Sequence, residues 1–318
     1  MNLTYVLKKL ISLLFTLLLT AFLVFLAFSV IPGDPVTTML GTQATPEKVA
    51  ALREELGLDR PFLVRFVSWL GTFVDGTFGN SYSYHVTVRS MLAGKLPITL
   101  TMTVMAFLMI LAISIPLGIY LARNSGGRTD RIMTVVNQTI MAFPPFFSGI
   151  LLTLLFGLVL HLFTPGGYVS YTRSIPGFLG YLILPAVAIA LPKAAMATNY
   201  LKASVLKEMK MDYVRTAYSR GNTTKGVLYG HVLRNAIIPV ITFLGMTFTD
   251  MIAGSIIIEQ VFSIPGIGRL LISSIANRDY PVVEAIVVLL AFFVIVTNFA
   301  IDIIYRLVDP RIRSAQEE

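Results

Sequence analysis

An all-α membrane protein with six transmembrane helices and both termini cytoplasmic is the fold class this sequence predicts. Three observations predict it. The 318 residues are 55% hydrophobic and only 13% charged, where a soluble domain carries about 25% charged residues. The mean hydropathy of +0.77 leaves more apolar surface than a soluble chain could cover, so that surface must meet lipid. The chain also falls into six apolar runs, each near the roughly 20 residues that cross a bilayer.

The first run, Leu10 to Ile31, follows Lys8 and Lys9 and ends in the turn Ile31-Pro32-Gly33-Asp34-Pro35. It is longer than the roughly 7–15 apolar residues of a secretory signal, so it is read as a retained helix. Thr37 to Lys95 is mixed in polarity and does not span. Within it, Pro46–Leu58 is helical by pattern, with Thr45 as N-cap and Glu47 in the first turn. Pro61–Phe73 gathers Phe62, Phe66, Trp69 and Phe73 on one face. That face suits either the membrane interface or a small packed subdomain.

The later spans are Pro97–Ala122, Ile132–Leu160, Ile175–Tyr200, Ala236–Ile258 and Val283–Leu307. Pro144-Pro145 interrupts the third, and Pro185 and Pro192 lie inside the fourth. The chain thus divides into an N-terminal helix (1–31), an extracytoplasmic segment with amphipathic helices (32–96), a five-helix core (97–307) with a cytoplasmic loop at 201–235, and a tail (308–318).

Charge orients these spans. The net charge is +8, which in a soluble protein would suggest nucleic acid. Here the basic residues lie between spans, so no nucleic-acid partner is expected. Fifteen of the 25 Lys and Arg fall at the two termini, in the Arg123–Arg131 turn and in the 201–235 loop. Short loops dominate the positive-inside rule, so both termini are predicted to be cytoplasmic.

Ionisable residues inside spans cost several kcal/mol unless they face protein or water. Asp302 has Arg306 one turn on, as an i,i+4 partner. Asp250, near the middle of the fifth span, has no local partner and is read as facing a pore. Asn137, Gln138, Asn199 and Asn298 suit interhelical hydrogen bonding. Asn137 and Gln138, with the helix break at Pro144 and Pro145, remain candidates for a translocation path, since transporters use broken helices to line one.

No phosphate-binding Gly-x-x-x-x-Gly-Lys-Ser/Thr loop occurs, so the chain is not expected to hydrolyse ATP. His85, His161 and His231 show no metal-ligand spacing, and the absence of cysteine excludes disulfides and thiolate sites. No metal or cofactor is expected on this chain. A membrane enzyme would need a clustered acid/base set within the spans, and a receptor would need a sizeable soluble domain. Neither is evident.

The 201–235 loop is basic and helical in pattern. Lys202, Lys207 and Lys210 would sit near anionic headgroups. Its centre, Asp212-Tyr213-Val214-Arg215-Thr216-Ala217-Tyr218-Ser219-Arg220-Gly221, reads as a short helix ended by Gly, suited to docking a soluble partner.

Here the sequence resembles the permease subunits of ABC importers, which carry a cytoplasmic Glu-Ala-Ala motif followed by Gly. The corresponding stretch is Arg215-Thr216-Ala217 and then Gly221, followed by His231-Val232-Leu233-Arg234-Asn235-Ala236 and Pro239. Arg215 replaces the Glu, and Arg234 holds the place of the usual Pro. The docking role carries over, but contacts made by that Glu do not.

The same stretch looks like the variant of the peptide/nickel group, and further segments are similar to it. They are Ile31–Pro35, Leu56-Gly57-Leu58-Asp59-Arg60-Pro61 with Trp69-Leu70-Gly71 and Phe78-Gly79, Glu259–Arg269 with Arg278–Val282, and Asp309-Pro310-Arg311.

The resemblance implies a type I importer permease, the first of two non-identical subunits, in a bacterial cytoplasmic membrane. It implies a second permease, two ATP-binding subunits using ATP and Mg, and an extracytoplasmic solute-binding protein. Asp212, Tyr213, Arg215, Thr216, Ala217, Arg220 and Gly221 would couple the ATPases to the pore. Di- and oligopeptides are the expected cargo, with nickel or a metal chelate as the alternative.

Overall fold

A computed structural model describes residues 3–31 and 34–308, leaving aside the side chains of 3–6, 38, 43 and 305–308. The Pro32-Gly33 turn, the Asp309-Pro310-Arg311 tail and the side chain of Arg306 lie outside the described residues. Among those described, secondary structure is helical apart from an isolated bridge between Asn80 and Thr87. Five helices are long and apolar enough to cross a membrane, and the bent pair Arg128–Ala142 and Pro145–Val159 makes a sixth if taken as one span. The contacts divide the chain into two compact units.

Unit 1 comprises Met1–Thr99 and Pro265–Ile295. It holds α1 (Leu3–Val30), α2 (Pro35–Leu40), α3 (Pro46–Glu55), α4 (Phe62–Val74), α5 (Val88–Ala93) and the start of α6 (Leu96–Arg123). Thr45 caps α3 by accepting from the Lys48 amide, as its sequence predicts. The aromatic face of α4 is a packed one. Phe62, Phe66 and Trp69 meet Phe25 of α1 at ring-centroid distances of 5.4, 5.5 and 5.2 Å. Offset and edge-on ring pairs of this kind add to area burial. Arg53 of α3 binds both Asp34 and Asp59, at 2.9 and 3.0 Å, so the turn before α2 and the turn after α3 are tied together.

The other strip of unit 1 runs through α13 (Ile267–Ala276) and the start of α14 (Tyr280–Val308). Asp279, fully buried, precedes α14. It accepts from the Tyr82 amide at 2.9 Å, the Ser81 hydroxyl at 2.5 Å and the Ser83 amide at 3.4 Å. One carboxylate thus fixes the turn before α5. Burial pushes the neighbouring Tyr82 hydroxyl up to about 12, helped by Glu284 and opposed by Arg65.

Unit 2 comprises Leu100–Ile264 and Val296–Glu318. Besides most of α6 it holds α7 (Arg128–Ala142), α8 (Pro145–Leu152) running into a π-turn at Thr153–Val159, α9 (Ile175–Glu208), α10 (Asp212–Ser219), α11 (Thr224–Val227) and α12 (Leu233–Val261). The third predicted span is sharply bent, by 99° between α7 and α8. The cause is local. A residue before proline is driven out of the helical region, and both Phe143 (ψ 124°) and Pro144 (ψ 148°) are extended. Pro145 then occupies the first position of α8, where its missing N–H costs nothing.

The prolines of the fourth span act differently. α9 runs 34 residues without interruption through Pro185 and Pro192. Both prolines are buried, and packing holds the helix across the lost hydrogen bonds. α9 also continues past Tyr200 to Glu208, so Lys202 and Lys207 are helical residues. Lys202 is correspondingly not a headgroup ligand: its ammonium pairs with the buried Asp130 of α7.

α9 is the spine of the unit. Asn137 of α7 donates to Asn199 at 3.1 Å, and Ser204 donates to the Ala236 carbonyl of α12 at 2.7 Å. The Tyr181 hydroxyl donates to the Phe262 carbonyl at 2.7 Å and accepts from the Gly166 amide at 3.2 Å. α8 approaches α12 at Gly149, where a Cβ would lie 3.1 Å from Phe262. Small residues allow such close helix contacts in lipid.

Candidate functional site

A cavity of about 200 Å³ lies between α8, α9 and α12 in unit 2. Pro145 and Phe146 line it from α8, Ile189 and Lys193 from α9, and Asp250 and Gly254 from α12. Its floor holds an ion pair, Lys193 Nζ with Asp250 Oδ2. Asp250 has no local partner, as its sequence indicates, but folding gives it a distant one. Its partner is not one helical turn away but 57 positions earlier, on the neighbouring helix. The available signal was Lys193 itself, a lone cation inside the fourth span matching a lone anion in the fifth.

The pair is uneven. The Lys193 side chain is 20% exposed and that of Asp250 63%. A carboxylate open to a cavity but neutralised from one side can meet a polar solute without a free charge in the membrane. Of the predicted path residues, the structure brings Pro145 and Asp250 together here. Pro144 stands exposed at the bend. Asn137 is buried against Asn199, and Gln138 is exposed on α7; neither lines this cavity.

Removing either partner of the pair strands the other. With this partial exposure each of Lys193→Ala and Asp250→Ala should cost about 1–3 kcal/mol, and the double variant should cost less than the sum. Thermal melts of the four proteins would check this, and strictly additive losses would refute the coupling.

The second cluster lies at the far end of α9. The predicted loop helix forms as α10, whose Val214 and Ala217 are buried. Asp212, Arg215, Thr216, Ser219 and Arg220 are exposed, and Arg215 lies 3.9 Å from Asp212. The half-buried Tyr213 donates from its hydroxyl to Glu208 of α9 at 2.7 Å. Burial raises the phenol above its ordinary value.

Gly221 ends α10 with φ +83°. Its amide bonds to the Tyr218 carbonyl at 2.9 Å, and the Asn222 amide to the Ala217 carbonyl at 3.4 Å. This pair of bonds is a Schellman cap, which requires the left-handed conformation that glycine adopts freely. The Asn222 side chain adds a second bond to the same Ala217 carbonyl at 3.0 Å. The result is a short rigid knob with one anchored and one exposed face, attached to the end of the spine helix. Sequence reading found the knob but not the Tyr213–Glu208 tie, because nothing in the residue pattern marks Glu208.

Comparison with known proteins identifies relatives over nearly the whole chain. Residues 114–314 match the model of a family described as the inner membrane component of binding-protein-dependent transport systems. Residues 2–103 match the N-terminal region of membrane components of the same systems. A probable peptide ABC transporter permease of Sinorhizobium fredii is 34% identical over 309 residues, covering 97% of this chain and 99% of that protein. The oligopeptide transport system permease AppB of Bacillus subtilis is 34% identical over 311 residues, covering 97% and 98%. The glutathione transport system permease GsiC of Salmonella choleraesuis is 34% identical over 311 residues, covering 98% and 99%.

Proposed function

The chain belongs to the family of inner membrane components of binding-protein-dependent transport systems, a multi-pass ABC transporter permease, and we propose that it is half of the pore of an ATP-driven importer of di- and oligopeptides. In this reading both termini are cytoplasmic. A second homologous permease completes the pore, two ATP-binding subunits dock below it, and an extracytoplasmic binding protein delivers the solute. ATP and Mg are used by the ATP-binding subunits.

One observation carries the reading. α9 runs without interruption from Lys193 at the cavity to Glu208, which Tyr213 ties to α10. Fifteen residues of helix separate these points, about 22 Å at 1.5 Å per residue. A displacement of α10 is therefore delivered to the cavity by a stiff rod rather than dissipated in a loop. Such a rod suits a two-state helix packing driven by partner subunits. The names of the relatives support peptides as cargo, and a cavity with an ion pair at its floor suits a solute bearing both charges.

Deletion of the gene in its host tests the cargo. Growth on di- and tripeptides as the sole source of a required amino acid should be lost, while a nickel-dependent enzyme keeps its activity. Intact peptide uptake with lost nickel-enzyme activity would replace peptides by a metal cargo.

A further inference from the structure

Unit 1 contains a second, larger cavity that the transport reading does not use. It measures about 610 Å³, within the roughly 300–1,000 Å³ range of small-ligand pockets. It lies where α1 ends and α14 begins, with Phe28 and Ile31 on one side and Tyr280 and Glu284 on the other. Those are the ends of two candidate spans, so the cavity sits at the depth of lipid head groups.

Its lining holds unanswered polar groups. Trp69 and Tyr280 line the cavity, and among the described residues neither the Trp69 Nε1 nor the Tyr280 hydroxyl has a hydrogen-bond partner, both atoms lying beneath the cavity surface. Trp69 is only 8% exposed. Buried donors are rarely left unpaired in native proteins. Glu284 lines the same space at 6% exposure. Arg60 stands at the exposed rim. Arg53 is already engaged by Asp34 and Asp59 and Arg65 lies over the Phe25 ring, which leaves Arg60 to meet an anion.

We propose that this cavity binds the head group of an aminophospholipid, phosphatidylethanolamine. The phosphate meets Arg60 at the rim by charge-assisted hydrogen bonds. The primary ammonium meets Glu284, which a quaternary choline could not do by hydrogen bonding and a glycerol head group could not do by charge. The acyl chains run along the outer face of α1, where Leu18, Leu19, Leu23 and Leu26 are exposed. A free zwitterionic peptide shares the head-group chemistry but lacks the chains that this face accommodates.

The chain carries one tryptophan, so Trp69 reports on the site. The full-length chain is reconstituted in phosphatidylcholine vesicles, and phosphatidylethanolamine or phosphatidylglycerol is added. Native mass spectrometry of the solubilised chain then counts the lipids retained from an equimolar mixture. Retention of phosphatidylethanolamine should exceed that of the other two by about tenfold, as one charge-assisted contact provides, and Trp69 emission should shift with that lipid alone. Glu284→Gln should abolish the preference. Arg60→Ala, an exposed position that does not endanger folding, should weaken retention of all anionic phosphates at the site. Equal retention of the three lipids, full retention by Arg60→Ala, or a Trp69 shift produced by a free dipeptide and not by phosphatidylethanolamine would overturn the assignment.

Discussion

Asp279→Ala should release the segment from Gly76 to Thr87 and lower the stability of unit 1 by about 3 kcal/mol. The magnitude follows from what the carboxylate does. It is fully buried and accepts from two amides and a hydroxyl. Alanine removes every acceptor at once, and the Tyr82 amide and the Ser81 hydroxyl are left inside the protein without partners. A buried donor stranded in this way costs about 1–3 kcal/mol. The Asn80–Thr87 bridge and the backbone bonds Ser81–Val86, His85–Ser81, Val88–Gly79 and Arg89–Thr77 remain, but none of them answers the donors that the carboxylate releases.

Limited proteolysis is the direct readout. Cleavage between Gly76 and Thr87 should become rapid in Asp279→Ala while cuts elsewhere keep their rates. Asp279→Asn keeps one carbonyl acceptor and should fall between the two. Protection equal to the parent in both variants would show that the turn is held by other contacts.

The sequence made the spans legible because a bilayer imposes one length and one composition. The 22 residues of Leu10–Ile31 could be read without knowing any neighbour. The bend at Pro144-Pro145 was equally local, since adjacent prolines leave the backbone few options. Single prolines were not decisive in the same way. Pro185 and Pro192 are absorbed by packing that only the tertiary structure supplies. Partners were the least legible feature. Lys193 with Asp250, Lys202 with Asp130, and Tyr213 with Glu208 are contacts made by folding. The i,i+4 rule finds partners on one helix and is silent about the next. Gly221 was read correctly as a helix stop because its role, a left-handed residue after the last turn, is set by the backbone alone.

The largest functional loss is expected from Ala217→Arg. Ala217 is 5% exposed beneath α10, beside the buried Val214. A guanidinium there must either displace the helix from its seat or bury an unpaired charge, and overpacking alone costs about 1–3 kcal/mol. Because α10 forms outside the apolar spans, the chain should still insert. If α10 is the proposed lever, peptide uptake should nevertheless fall more than about tenfold, since a lever seated in the wrong place would no longer select between two packings.

Gly221→Ala provides the graded comparison. No atom lies within 4 Å of where its Cβ would stand, so the whole effect is backbone strain of about 1–2 kcal/mol in the left-handed conformation. It should reduce uptake several-fold less than Ala217→Arg. Arg215→Ala changes neither seat nor cap, because its side chain is 84% exposed. It should leave the melting temperature unchanged and weaken only association with the ATP-binding subunits. Uptake and ATP hydrolysis by the reconstituted complex distinguish the three. If α10 is the lever, Ala217→Arg hydrolyses ATP without transport or fails to recruit the ATP-binding subunits. Parental uptake in Ala217→Arg would remove α10 from the mechanism and leave the α9 rod without a driver.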